Sequence, residues 1–195
     1  MSKHVTKCSV PDGTRGPWRV ERFEVSEQDA KFAGFRAIIS GGGRGALQPG
    51  IYTKLVHEHR GIVMSDTPDE MRDHSVAVRK ARDHVLVNGL GLGLVVAEIL
   101  ARPVVTKLTV VEIDQNVIDL VAPHLTDPRL EIVKNSAYDY RPPKGVRYGA
   151  VWHDIWDDLC GDNLPEMTKL KRKYGRRADW QGCWGEHFTR RQMGR

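Results

Sequence analysis

No stretch of the 195 residues approaches the roughly 20 apolar residues that a membrane-crossing helix needs. The opening MSKHVTKCSV also lacks the apolar core of a secretory signal, so neither membrane insertion nor export is expected. Cysteine is scarce: Cys8, Cys160 and Cys183 are scattered, with no CxxC spacing. That argues against a disulfide framework and a zinc site, so no metal is expected, and it favours a reducing, cytoplasmic setting. Excess charge is missing from most of the chain as well. Residues 1–164 carry 21 Lys/Arg against 22 Asp/Glu, a net of −1, whereas residues 165–195 carry nine against three, a net of +6, which together give the chain its +5. The basic character therefore belongs to the C-terminal segment, where it reads as a solvated helical face.

What is present centres on residues 84–114, HVLVNGLGLGLVVAEILARPVVTKLTVVEID. Val85-Leu86-Val87 is a short apolar run between charge and glycine, the pattern of a strand buried on both faces of a parallel sheet. Gly89, Gly91 and Gly93 follow at alternate positions, residues 94–100 supply a helix, and residues 108–111 form a second strand ending in Glu112-Ile113-Asp114. Strand, glycine turn, helix, strand and acid compose a βαβ unit suited to a nucleoside. Glycine lets the backbone approach a ligand, the helix start offers N–H groups, and the acid accepts from ribose hydroxyls. A dinucleotide fingerprint needs a small sixth residue, and this chain has Leu94 there.

Gly89-x-Gly91-x-Gly93 resembles the first motif of class I S-adenosylmethionine (SAM) dependent methyltransferases, and Val110-Val111-Glu112-Ile113-Asp114 resembles their acidic second-strand motif. The wording VLVNGLGLG…VVEID is similar to the spermidine-synthase-like branch of that superfamily and to small phage and bacterial methyltransferase-like proteins. The resemblance implies SAM as cofactor, held by Asn88, Gly89, Gly91, Gly93, Glu112 and Ile113. Methyltransferases often carry Asp-Ala after the third strand to hold the adenine amino group. Ser136-Ala137 stands in that place, with Asn135 beside it, so the acceptors are neutral and the contact weaker than a carboxylate would make. In spermidine synthases an aspartate after the fourth strand contributes to amine binding and deprotonation. That role falls on Asp154, with His153 as its catalytic neighbour. The segment ahead of the first core strand helps close the pocket in these families, which makes Asp66 a substrate-binding candidate. Trp156 is a candidate to flank a planar substrate.

Around this unit the chain reads in order. Residues 1–17 are polar, bear Gly and Pro, and are expected to be flexible. Residues 18–25 alternate as a half-buried strand, and Ser26 with Asp29 caps a helix to about Ile39 before a glycine-rich connector at 41–45. Residues 51–56 and 61–64 form a hairpin whose turn holds His57 and His59. Thr67, Pro68 and Glu70 start a helix with Met71, Ser75, Val78 and Ala81 facing inward. A helix at 116–124, a strand at 130–133 and a strand at 148–152 follow Asp114. The carboxyl end of that last strand lies at the switch point where substrate meets cofactor. Asn163 with Glu166 opens a helix to Gly175, and Trp180, Trp184, His187 and Phe188 suggest a short closing helix.

The expected architecture is α/β and Rossmann-like, a shortened, mostly parallel sheet with flanking helices, an N-terminal β-hairpin and a C-terminal helical extension. Its regions are 1–17, an N-terminal extension at 18–82, a SAM-binding core at 83–160 and a basic extension at 161–195. Three functions fit. The first is a SAM-dependent methyltransferase, with a small-molecule or macromolecular acceptor that the sequence does not identify. The second is an aminopropyltransferase-like enzyme acting on a polyamine. The third is a non-catalytic nucleoside- or nucleic-acid-binding protein using the basic residues at 169–177. A homo-oligomer is left open.

Overall fold

The computed structural model describes residues 8–39, 47–158, 160–192 and 194, so the glycine-rich connector at 41–45 lies outside the described residues. The first part is an antiparallel sheet in the order β1-β2-β3-β4: β1 (Gly13–Arg15), β2 (Trp18–Val25), β3 (Gly50–His57) and β4 (Gly61–Ser65). Alternation buries Trp18 and Val20 at one end of β2, and Val25 is buried at its other end after a change of phase. Helix α1 (Glu27–Ile39) follows β2. The expected cap is present: the Ser26 hydroxyl accepts from the Asp29 amide at 3.1 Å, and the Asp29 carboxylate accepts from the Ser26 amide at 3.3 Å. Of residues 1–17, expected to be flexible, 1–7 lie outside the described residues, and 10–17 are held in place. Val10 is buried and accepts from the Arg22 guanidinium at 3.1 Å, and β1 pairs along β2.

Helix α2 (Pro68–Lys80) starts where Thr67 and Pro68 predict, but its acid closes further back. Glu70 accepts from the Ser65 amide at 2.8 Å and the Ser65 hydroxyl at 2.6 Å, while the Thr67 side chain caps nothing. The fully buried positions on the helix are His74 and Ala77, each one residue ahead of the predicted Ser75 and Val78.

The second sheet is all parallel, in the order β7-β6-β5-β8-β9. Its elements run β5 (Asp83–Asn88), α3 (Leu94–Leu100), β6 (Val105–Glu112), α4 (Gln115–Val121), β7 (Leu130–Lys134), β8 (Ala150–His153), α5 (Asn163–Tyr174), β9 (Gln181–Cys183) and α6 (Glu186–Gln192). Both faces are covered, which is why its strands read as continuous apolar runs. Val85, Val87 and Trp152 face α2, α3 and the first sheet, in a core that includes Trp18, Val20 and Leu55. Leu86, Val111 and Val151 face Leu170 and Tyr174 of α5.

The C-terminal extension is mainly helical, as expected, with α5 and α6, and strand β9 between them is an addition. The Val151 amide donates to the Trp180 carbonyl at 2.9 Å, and the Trp184 amide to the His153 carbonyl at 2.8 Å. The rings of Trp152 and Trp180 stack with centroids 6.3 Å apart, and a side chain at Gly182 would stand 2.7 Å from Trp180. The tryptophans that suggested an amphipathic helix thus cover the sheet from a strand. Among the described residues no helix is long and apolar enough to cross a membrane.

Candidate active site

In register, Asn88 at the end of β5 sits opposite Val111 of β6 and His153 of β8. The chain therefore leaves three neighbouring strands together, and there, against the first sheet, a cleft of about 340 Å³ opens. Gly89 makes the first turn with φ +101° and donates its amide to the Val111 carbonyl at 2.8 Å. A Cβ at this position would stand 1.9 Å from the carbonyl oxygen of Asp154, so the loops after β5 and β8 pass at a distance only glycine allows. Gly91, with φ +52°, lies under Met64 of β4, whose sulfur would be 2.5 Å from a Cβ there. The same sulfur accepts from the Leu92 amide at 3.2 Å. Within the turn itself the amides of Gly89, Leu90, Leu92 and Gly93 all have acceptors within the protein, whereas no side chain caps the start of α3 at Leu94. Such a turn leaves room for a ligand's backbone approach without forming a phosphate cradle.

Glu112 ends β6 with its side chain buried in the cleft wall. Its Oε2 accepts from the Leu90 amide and its Oε1 from the Asp114 amide, at 2.8 and 2.9 Å, which fixes the carboxylate in place. Burial pushes its pKa above the usual carboxylate range against the pull of these amides. Asp114 caps α4 by accepting from the Asn116 amide at 2.8 Å, and it also accepts from the Trp18 indole at 2.6 Å. Burial opposes ionisation there too, but these bonds hold its pKa below the ordinary value. The Arg60 guanidinium lies 4.7 Å over the Trp18 ring and pairs with Asp157 at 2.5 Å. Ile113 is exposed at the cleft mouth. Asn135, Ser136 and Ala137 complete that end, with Asn135 Oδ1 accepting from the Ser136 amide at 2.8 Å and Ser136 Oγ from the Tyr138 amide at 3.1 Å.

Asp154 stands on the opposite wall, its amide donating to the Asn88 carbonyl at 2.8 Å. Burial pushes its carboxyl up to about 7, and the negative charges of Glu70, Asp73 and Glu112 add to that. Trp156 lines the same wall and donates its indole N–H to Glu166 at 2.9 Å. The predicted Gly89, Gly91, Glu112, Ile113, Asn135, Ser136, Ala137, Asp154 and Trp156 therefore meet around one cavity.

Four predicted site residues lie elsewhere. His153 is fully buried on the other face of β8, 5.5 Å from the Tyr174 ring, with its Nδ1 2.8 Å from the Asn88 amide nitrogen. Burial holds it near pKa 4, so strand alternation takes both His153 and Asn88 away from the cleft. Asp66 is also buried, accepting from the Thr53 amide at 2.6 Å and the Cys8 amide at 3.2 Å. It ties the N-terminal segment to β3. Gly93 starts α3 against Leu125, 2.9 Å from where its Cβ would be. The basic residues of α5 turn partly inward. Lys171 pairs with Glu186, Lys173 donates to the carbonyls of Ala137 and Tyr138, and Arg177 donates to the Pro143 carbonyl.

Sequence reasoning missed Trp18, Arg60, Tyr138, Glu166 and His74 as site residues. The Nε2 of His74 is 3.6 Å from Asp154 Oδ2. Its signal was a lone histidine one turn beyond Glu70 on an inward helix face. Trp18 and Arg60 carry no local signal, because only the packing of the two sheets brings them to Asp114.

Residues 67–160 match the family model of the spermine/spermidine synthase domain. A polyamine aminopropyltransferase of Bacillus subtilis (strain 168) is 31% identical over 107 residues, covering 48% of this chain and 39% of the relative. The spermidine synthase from Thermotoga maritima superposes with a TM-score of 0.50 at 17% identity, over 87% of this chain and 52% of that one. A dimethyladenosine transferase from Plasmodium falciparum gives 0.45 at 20% identity, over 65% of this chain and 44% of that one. The chain thus spans well under half the length of the curated relative it matches. With its parallel core and N-terminal antiparallel sheet, this chain has a spermidine-synthase-like fold.

Proposed function

We propose that this chain transfers a group from a sulfonium nucleoside to an acceptor held beside Asp154, with methyl transfer from SAM as the first reading. The observation that carries it is the pairing of two unlike carboxyls across one cleft. Glu112 is fixed by two backbone amides beside a turn with glycine at alternate positions, and Asp154 is largely buried, which pushes its carboxyl up to about 7. The residues fit the cofactor: Glu112 keeps lone pairs for ribose hydroxyls, Ile113 offers an apolar edge, and Asn135 and Ser136 bring polar groups to the adenine end. Bound there, SAM supplies an electrophilic carbon on a positively charged sulfur. Asp154 takes a proton from the incoming nucleophile, a task for which a pKa near 7 is suited. Trp156 and Met64 narrow the cleft and exclude water.

Aminopropyl transfer from decarboxylated SAM is the second reading. Asp154, Asp157 and Glu166 make the acceptor side acidic, which suits a cationic amine, and the Bacillus subtilis relative is named for that activity. Calorimetric titration with SAM, its demethylated product, decarboxylated SAM and NAD in parallel tests both. Binding of SAM or its product with no response to NAD is the expected result. A preference for decarboxylated SAM selects the second reading, and NAD binding without a response to SAM overturns both.

A further inference from the structure

Between α2 and the end of β8, three buried polar groups converge. His74 is 2% exposed, and neither of its ring nitrogens has a hydrogen-bond partner. Its Nε2 stands 3.6 Å from Asp154 Oδ2, just beyond hydrogen-bond reach. Trp152 is 4% exposed, its indole N–H has no partner within hydrogen-bond distance, and from two residues before Asp154 it favours that carboxyl's charged form. Buried polar atoms nearly always find partners, and leaving them unmade is costly. A leucine or phenylalanine would fill the space of His74 without that cost. Two orphaned donors aimed at one cleft carboxyl therefore point to a use beyond packing.

We propose that His74 is a positioning residue for Asp154: its Nε2–H, together with the Trp152 indole, orients the carboxylate that faces the cleft and stabilises its charged form. The titratable groups around the pair are Glu70 and Asp73 from α2, Glu112 from β6 and Cys183 from β9. The three carboxylates disfavour a charged Asp154, so the neutral donors oppose them. Burial holds His74 near pKa 4, and the imidazole stays neutral while the proton taken from an acceptor ends on Asp154. This role of the carboxylate rests on the function proposed above, whereas the pairing of the two side chains does not.

Carbon-13 NMR of the Asp154 side-chain carboxyl across a pH titration tests the pairing on the full chain, with Asp154→Asn used to assign the signal. His74→Phe keeps the bulk and removes the donor. It is expected to raise the Asp154 midpoint by about one pH unit, a tenfold change in the acid constant. His74→Gln retains an N–H donor and is expected to return the midpoint close to that of the parent protein. Midpoints unchanged in both variants overturn the proposal. Should His74→Phe not fold, the ring nitrogen-15 shifts of His74 in the unaltered protein decide: shifts that follow the Asp154 midpoint support the pairing, and flat ones sink it. Calorimetry with SAM on the same samples keeps the two readings apart. Coupled titration without a SAM response removes the proposed function and leaves the pair standing.

Discussion

Glu112 serves the fold and the cleft with the same two oxygens, since each already accepts from a backbone amide. Glu112→Ala would strand both amides and remove the ribose acceptor. Hydrogen bonds to a charged group are worth about 1.5–3 kcal/mol, so a loss of about 10- to 100-fold in SAM affinity is expected by calorimetry, with a lowered melting temperature. Glu112→Gln should keep most of the stability and lose part of the affinity. Asp154 makes a prediction in pH. Its pKa of about 7 in the fold lies above the 3.8 of an ordinary aspartate, so the folded state holds a proton that the unfolded state has released. Stability linked to that proton is complete below pH 3.8 and drains away as pH rises towards 7, by at most about 1.4 kcal/mol per pH unit. Asp154→Asn should therefore gain melting temperature relative to the parent protein between pH 5 and pH 8, as scanning calorimetry would read. His153, held near pKa 4, gives the opposite slope in both proteins and drops out of the difference. At this scale the sequence was legible for kind and silent on direction. It marks His153 and Asp154 as neighbours, yet one faces Tyr174 and the other the cleft, because a strand turns successive side chains to opposite sides.

Elements were legible wherever their periodicity runs long enough. Strand β2 alternates in two short runs, Trp18 with Val20 and Phe23 with Val25, and α5 carries Leu164, Met167, Leu170 and Tyr174 at helical spacing. Strand β9 has only three residues, too few for a period, and its tryptophan neighbours mimic an amphipathic helix. The inward face of α2 was legible through Met71, Val78 and Ala81, which pack on the core, and the polar His74 was missed beside them. In α5 the basic residues raised the prospect of a nucleic-acid surface. Several of those charges close the protein on itself, with Lys171 on Glu186 and Lys173 on the carbonyls after β7. Fluorescence anisotropy with duplex DNA or RNA at moderate salt is accordingly expected to show no saturable binding. Lys173→Ala should instead lower the melting temperature by about 1 kcal/mol equivalent, through its two lost carbonyl bonds. Tight binding that weakens steeply with salt would restore the nucleic-acid reading.

On the scale of the whole molecule, the two sheets are joined by a shared core and by the bond from the Trp18 indole to Asp114, a contact across 96 residues that no local pattern announces. One feature of that junction governs traffic. Arg60, in the turn between β3 and β4, reaches Asp157 in the loop after β8, so a charged clasp spans the two lips of the cleft. Its side chains are 44% and 35% exposed, and a pair in such contact with water is worth about 0–1 kcal/mol and is screened by salt. The clasp is strong enough to slow a visitor and too weak to exclude one. Arg60→Ala should raise both the association and the dissociation rate of SAM by up to about fivefold in stopped-flow mixing, with affinity nearly level. Rising salt should loosen the clasp in the parent protein and shrink its kinetic gap from the variant. A gap that stays constant with ionic strength would mean that ligands enter by another path. A gap that shrinks with salt would mean that the residence time of an occupant is set in part by an ion pair at the cleft mouth.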